Sequence, residues 1–153
     1  MRQQGSKNGA TVKGQAHSVR LCVNPDGIAP PTGAPDTPYY SWVVKKGPLV
    51  FLSGMVPYDA KKNLIGKDLG SQARQAMSNL RTAIESVGGT LADICSITVY
   101  VPFDDLQRDV YPMLNPVVHE FFPTNPPARA VVGSVALPRK QELVQIVASG
   151  VLA

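Results

Sequence analysis

Apolar positions along this chain follow two distinct rhythms. In DLGSQARQAMSNLRTAIESVGG, Leu69, Ala73, Ala76, Met77, Leu80, Ile84 and Val87 recur at spacings of three and four, which predicts an amphipathic helix. Asp68 or Ser71 is placed to cap its start and Gly88-Gly89 to stop it. In ICSITVYV, residues 94–101, the period falls to two. Cys95, Ile97, Val99 and Val101 share one face of a predicted strand and Ser96, Thr98 and Tyr100 the other, with Cys95 read as core. YYSWVV and LVFLSG flank Gly47-Pro48 as two more strands, and MVPYDAKKNLIG continues as a loop with room for one short strand. A second helix is expected within DDLQRDVYPMLNPVVHEFF, with Leu106, Val110, Leu114, Val117, Val118 and Phe121 as its buried stripe. Pro112 and Pro116 each remove a backbone donor, so that helix should be irregular or restart near Pro112. Two closing strands, 129–136 and 143–150, read as neighbours joined by a charged turn.

The order ββ(β)αβαββ predicts an α+β fold, a sheet with both helices on one face. The other face would still carry apolar groups, which points to oligomerisation through it. The 153 residues suit one domain, over 23–153, behind a basic tail at 1–22 whose Gly, Gln, Ser and Lys have little to bury and which is expected to be mobile. Residues 23–38 are Pro- and Gly-rich and read as an irregular approach to the first strands. The net charge of +4 is largely that tail's, since Arg2, Lys7, Lys13 and Arg20 meet no acidic residue there, and this argues against nucleic acid as the main partner. Cys22 and Cys95 form neither a disulfide framework nor a metal spacing, and His17 and His119 are far apart, so no metal is expected. No apolar run is long enough to span a membrane, and MRQQGSKNGATVKGQ lacks the apolar stretch of a secretory leader, so a cytoplasmic protein is expected.

Several side chains could carry chemistry, and each also has an ordinary explanation. Arg129 follows Pro-Pro-Ala into an apolar strand; its planar guanidinium offers two parallel donors that match a carboxylate, although a surface arginine opening a strand is the commoner case. Gly54, after Ser53, permits close backbone approach to a ligand or merely ends a strand. Tyr40 is a cleft lid or a hairpin-edge aromatic. Asn115, beside Pro116, is a cleft residue or a helix-start residue. His119, alone on its helix, is more often packed or exposed than a base.

Four stretches taken together resemble the RidA family, also called YjgF or L-PSP, the reactive imine and enamine deaminases. They are Tyr40-Ser41 followed by LVFLSG; QARQAMSNLRTAIESVGG (72–89) followed by LADICSITVYV; Asn115 followed by HEFFP (119–123); and PPARAVVGSVALP, so the likeness spans roughly residues 38–150. It implies a chorismate-mutase-like sheet with two helices and a homotrimer around a β-barrel-like core with three clefts between subunits. It also implies hydrolysis of 2-imino or 2-enamino acids to 2-keto acids and ammonia, without metal or organic cofactor. By the same resemblance Arg129 and the Gly54 N–H, after Ser53, hold the substrate carboxylate, Tyr40 or Tyr39 covers the cleft, and Asn115 lines it. Tyr39 stands where the family often has proline, and Val131, whose carbonyl would hold water, stands where it often has cysteine.

Gln145 is the notable departure. Aligning LVQI with the family's LVEI puts it where a water-orienting glutamate is expected. The turn PRKQE is one residue longer than usual, and a shifted register would bring Glu142 or Val144 near instead. Strand alternation sets Leu143, Gln145 and Val147 on one face and Glu142 on the other. The leading expectation is a deaminase, weak or retuned because of Gln145. The alternatives are a non-catalytic trimer that binds small carboxylates, or a family member recruited to a specialised pathway and acting on a larger enamine or unsaturated acid. Ribonuclease activity, often attached to this family, finds neither a histidine pair nor a basic aromatic stripe to carry it.

Overall fold

The strongest helical pattern forms α1, Leu69–Glu85, in a computed structural model that describes residues 19–34, 37–102 and 109–153. Asp68 caps it: its carboxylate accepts from the Ser71 backbone N–H at 2.9 Å, and the Ser71 side chain closes a capping box. Gly88, at φ +82°, ends it. The expected stripe is buried from Leu69 to Ile84, with Val87 beyond the helix end only half-buried, and two polar residues on the same helix, Gln72 and Asn79, are buried as well.

The strands, in chain order, are β1 Leu21–Val23, β2 Gly33–Ala34, β3 Thr37–Pro38, β4 Val43–Lys46, β5 Leu49–Met55, β6 Ile94–Pro102, β7 Ala128–Ser134 and β8 Gln145–Val151. Six of them build one sheet in the order β1-β4-β5-β8-β6-β7. β2 and β3 pair only with each other, a small ladder inside the approach expected to be irregular. Residues 1–18 of the expected tail, and Leu106, lie outside the described residues.

The closing strands are not neighbours as expected. β7 runs parallel to β6, and β8 lies antiparallel between β5 and β6. The helix between β6 and β7 is α2, Tyr111–Phe121, and a crossover of that length is what a parallel pair requires. β8 then returns to the middle of the sheet, with Ile146, Ala148 and Gly150 buried toward the helices. Gly150 is needed there, because a Cβ would run into the carbonyl of Asp93. α2 starts beside Pro112, which falls in its first turn, where a missing N–H costs nothing, but it runs on through Pro116.

Cys95 is exposed rather than core. Pairing with β8 shifts between Ile94 and Ser96, so a bulge breaks the alternation and Ile94 takes the buried position instead. The two helices cover one face of the sheet over Val50, Leu52, Met55, Ile97, Val99 and Ile146. On the open side Leu49, Phe51, Val147 and Val151 are exposed, an apolar surface of the kind partners cover.

The buried amides of α1 tie down two loops. Asn79 donates from Nδ2 to the carbonyls of Val56 and Tyr58, both at 2.8 Å. Gln72 donates from Nε2 to the carbonyl of Gln141 at 2.8 Å and accepts at Oε1 from the N–H of Leu143 at 2.7 Å. Gln72→Leu keeps the volume and strands both backbone groups. It should lower stability by about 1–3 kcal/mol, read as an earlier urea midpoint at unchanged slope. An unchanged midpoint would mean that these bonds are not made in solution.

Candidate active site

Pairing between β5 and β8 slips between Leu52 and Met55, which takes Ser53 and Gly54 out of the regular ladder. Beside this irregularity a cavity of about 290 Å³ opens, lined by Tyr40, Trp42, Ser53, Gly54, Glu142 and Gln145, with Lys62 and Arg139 also on its wall. Tyr40 stands edge-on to Trp42, with ring centroids 5.1 Å apart, and the Trp42 indole N–H donates to the carbonyl of Ala29 at 2.8 Å. The Ser53 hydroxyl donates to the Ser41 carbonyl at 2.7 Å. Gln145 lies directly over Gly54, and any Cβ at position 54 would run into its side chain. A larger residue at 54 would have to displace the Gln145 side chain. Four expected site residues thus meet in one cavity, and Tyr39, 85% exposed, stays outside it.

Arg129 and Asn115 line a different depression, of about 410 Å³, together with His119 and Pro127. The Arg129 guanidinium lies 5.6 Å from the centre of the Tyr111 ring. Val131, two residues along β7, is half-buried against the core. β8 and β6 intervene between Gly54 on β5 and Arg129 on β7. Three interstrand spacings put about 14 Å between those strands, more than a small carboxylic acid can bridge. Within one chain, then, Arg129 does not reach the cavity of Gly54.

Glu142, expected on the face opposite Gln145, lines the same cavity and is only 4% exposed. Strand alternation does not extend back to it, because β8 begins at Gln145 and Gln141 has a left-handed backbone at φ +69°. Gln72 grips the residue on either side of it. Burial pushes the Glu142 carboxyl above the usual carboxylate range, against the opposing pull of the Arg139 charge and backbone and of the Tyr58 hydroxyl. Burial, and then the charge of Glu142, raise the Tyr58 phenol in turn, while the Arg139 guanidinium sits 5.0 Å from that ring's centre. One carboxylate oxygen of Glu142, Oε2, is buried with no hydrogen-bond partner. Lys62 reaches the wall from a tight turn in which the Asp59 carboxylate accepts from the N–H groups of Lys61 and Asn63. Among the described residues, no three His, Cys, Asp or Glu side chains converge as a metal site would need.

A family model described as Endoribonuclease L-PSP matches residues 31–151, most of the chain. The chain belongs to this family, the RidA/YjgF/L-PSP proteins. A RutC family protein of Pyrococcus horikoshii is 34% identical over 108 residues, 70% of this chain and 82% of the relative. A 2-iminobutanoate/2-iminopropanoate deaminase of Dermatophagoides farinae is 30% identical over 102 residues, 65% of this chain and 76% of the relative. The crystal structure of RidA from the Antarctic bacterium Psychrobacter sp. superposes with a TM-score of 0.74 at 28% identity, covering 86% of this chain and 99% of that one. Trp42, Lys62 and Arg139 lie on the wall of this L-PSP protein's cavity without a site role in the sequence pattern, whereas Glu142 enters there only under a shifted register, signalled by the extra residue in PRKQE.

The raised carboxyl has a consequence for stability. A carboxyl whose folded pKa is raised contributes stability that is complete below the ordinary glutamate range and is lost as pH rises through the raised value. Glu142→Gln, locked neutral, should therefore melt higher than the parent at pH 8, and that advantage should vanish at pH 4. A thermal-shift difference independent of pH would contradict the burial of a titrating carboxyl.

Proposed function

We propose that this L-PSP family member is a cytoplasmic homotrimeric deaminase that hydrolyses 2-imino and 2-enamino acids to 2-keto acids and ammonia, with each site completed by Arg129 of a second copy. The separation of two half-sites carries this. One chain holds Tyr40, Ser53, Gly54 and Gln145 in one cavity and Arg129 with Asn115 in another, three strands away. Each half is incomplete for an imino acid, and the exposed apolar face of the sheet supports assembly. The relative named a 2-iminobutanoate/2-iminopropanoate deaminase supports the reaction class.

In the assembled cleft the Arg129 fork and the Gly54 N–H hold the substrate carboxylate. Tyr40 covers the ligand, and Asn115 lines the approach. Water held by the Val131 carbonyl and the Gln145 amide oxygen adds to C2, and the resulting carbinolamine loses ammonia. Fixing the carboxylate fixes C2 relative to that water, so positioning supplies much of the rate. Gln145 favours one rival reading, a trimer that binds small carboxylates without turnover, because an amide orients water but cannot take its proton. Ammonia release from freshly generated 2-iminopropanoate, above the spontaneous rate, separates the two.

Mixing subunits tests the shared cleft. Arg129→Ala should weaken 2-oxobutanoate binding at least about tenfold, since charge-assisted bonds contribute roughly 1.5–3 kcal/mol, and Gly54→Ala should block the cavity from the other side. Each variant alone should be nearly inactive. Co-expressed, they should regain activity, because some clefts then pair an intact Gly54 with an intact Arg129. A mixture no more active than its components would place both residues in one chain's site, or outside the site altogether.

A further inference from the structure

The proton transfer that Gln145 cannot perform has another candidate in the same cavity. Of the described residues on its wall, Glu142 is the carboxylic acid. Its backbone is held on both sides by the bonds of Gln72 to the Gln141 carbonyl and the Leu143 N–H. A purely structural carboxylate at 4% exposure would be expected to have both oxygens satisfied, yet Oε2 has no partner. A buried acceptor of this kind is costly unless a donor comes to it, and a water or a substrate N–H is such a donor.

We propose that Glu142 is the catalytic acid–base group of this cavity, taking the proton of the attacking water and returning it to the departing nitrogen. This rests on the deaminase function proposed above. Water oxygen bonds to C2 of the iminium while one water proton passes to the Glu142 carboxylate, leaving a neutral carbinolamine and a neutral carboxyl. The carboxyl then protonates the amine. As the C–N bond breaks, its electron pair leaves with nitrogen. The carbinol O–H proton returns to the carboxylate as the C=O bond forms, and passes on to the released ammonia. Iminium and water are thereby converted to keto acid and ammonium, with no oxidant or other co-reactant.

Two charged or titratable groups act on the carboxylate: Arg139, on the same β7–β8 connection, and Tyr58, from the turn between β5 and α1. Lys62, from that same turn, lines the cavity. Arg139 and Tyr58 favour the charged form and burial opposes them more strongly. The balance brings the group nearer to neutral pH, where an acid–base catalyst works best. Positions 145 and 142 thus share the work that one glutamate would do, with the amide orienting water and the carboxylate moving its proton.

Ammonia release from enzymatically generated 2-iminopropanoate, measured for the parent and Glu142→Gln across pH 4–9, tests this role, with 2-oxobutanoate binding as the readout of an intact cavity. The parent's kcat should rise with pH as Glu142 ionises. Glu142→Gln should lose about 10²-fold in kcat, the lower end of what acid–base assistance contributes, and lose that pH dependence. Its 2-oxobutanoate affinity should stay within about twofold, as expected when a transition-state interaction alone is removed. An active parent whose Glu142→Gln variant keeps its kcat and pH profile overturns the role of Glu142 and leaves the deaminase standing. Loss of ligand binding together with turnover assigns Glu142 to the architecture of the cavity and also overturns it. Should the variant fail to fold, a parent kcat that is flat across the acid range does the same. A parent that releases no ammonia above the spontaneous rate overturns both this role and the deaminase.

Discussion

One buried amide determines how the chain enters its central strand. Gln72, on the sheet-facing side of α1, donates to the carbonyl of Gln141 and accepts from the N–H of Leu143. With both neighbours held, the residue between them has little freedom, and its side chain is directed into the cavity beside β5. The bracket also sets where β8 begins, and β8 carries Gln145 over Gly54. Asn79, two turns along the same helix, ties the facing segment at Val56 and Tyr58. The cavity wall is therefore positioned by a helix, whose own register is fixed by the Asp68 capping box. Sites held by packed regular elements are more closely defined than sites on free loops.

The sheet order imposes the second constraint. Inserting β8 between β5 and β6 pushes β7 to the edge and carries Arg129 away from Gly54. Had the closing strands been adjacent, with β7 beside β8, Arg129 would lie one strand nearer to Gly54. The edge position instead leaves most of β7 exposed, as the proposed sharing of its residues with a second copy requires. Burying Glu142 works against stability at neutral pH, because it desolvates a charge. Retention of such a group inside a cavity is the pattern expected where function opposes stability.

Much of this is legible in the sequence. The period of α1, the Asp68 cap, the start of α2 beside Pro112 and the α+β class all follow from local pattern, and the motifs quoted from 38 to 150 carry the family. Most of the failures share a cause: they depend on where strand alternation stops. Cys95 reads as core because a bulge leaves no mark in ICSITVYV. Glu142 reads as facing away from Gln145 only if the period of two is extended into a turn that the strand does not include. The adjacency of 129–136 and 143–150 assumes a hairpin across a connection long enough to cross another strand. Gln72 and Asn79 pass for the polar side of a helix, since only tertiary contacts reveal that loops on the sheet side need donors and acceptors there.

Trp42 is the chain's single tryptophan and lies on the cavity wall, so its fluorescence reports on occupancy of that cavity alone. Titrating 2-oxobutanoate into the parent and into Arg129→Ala therefore asks directly whether an arginine three strands away completes the cavity. The shared cleft requires saturable quenching in the parent and an affinity at least about tenfold weaker in the variant, from the loss of a charge-assisted carboxylate contact. Equal quenching at equal affinity in the two proteins would show that the cavity binds its ligand without Arg129, and would contradict a site built from two copies of the chain.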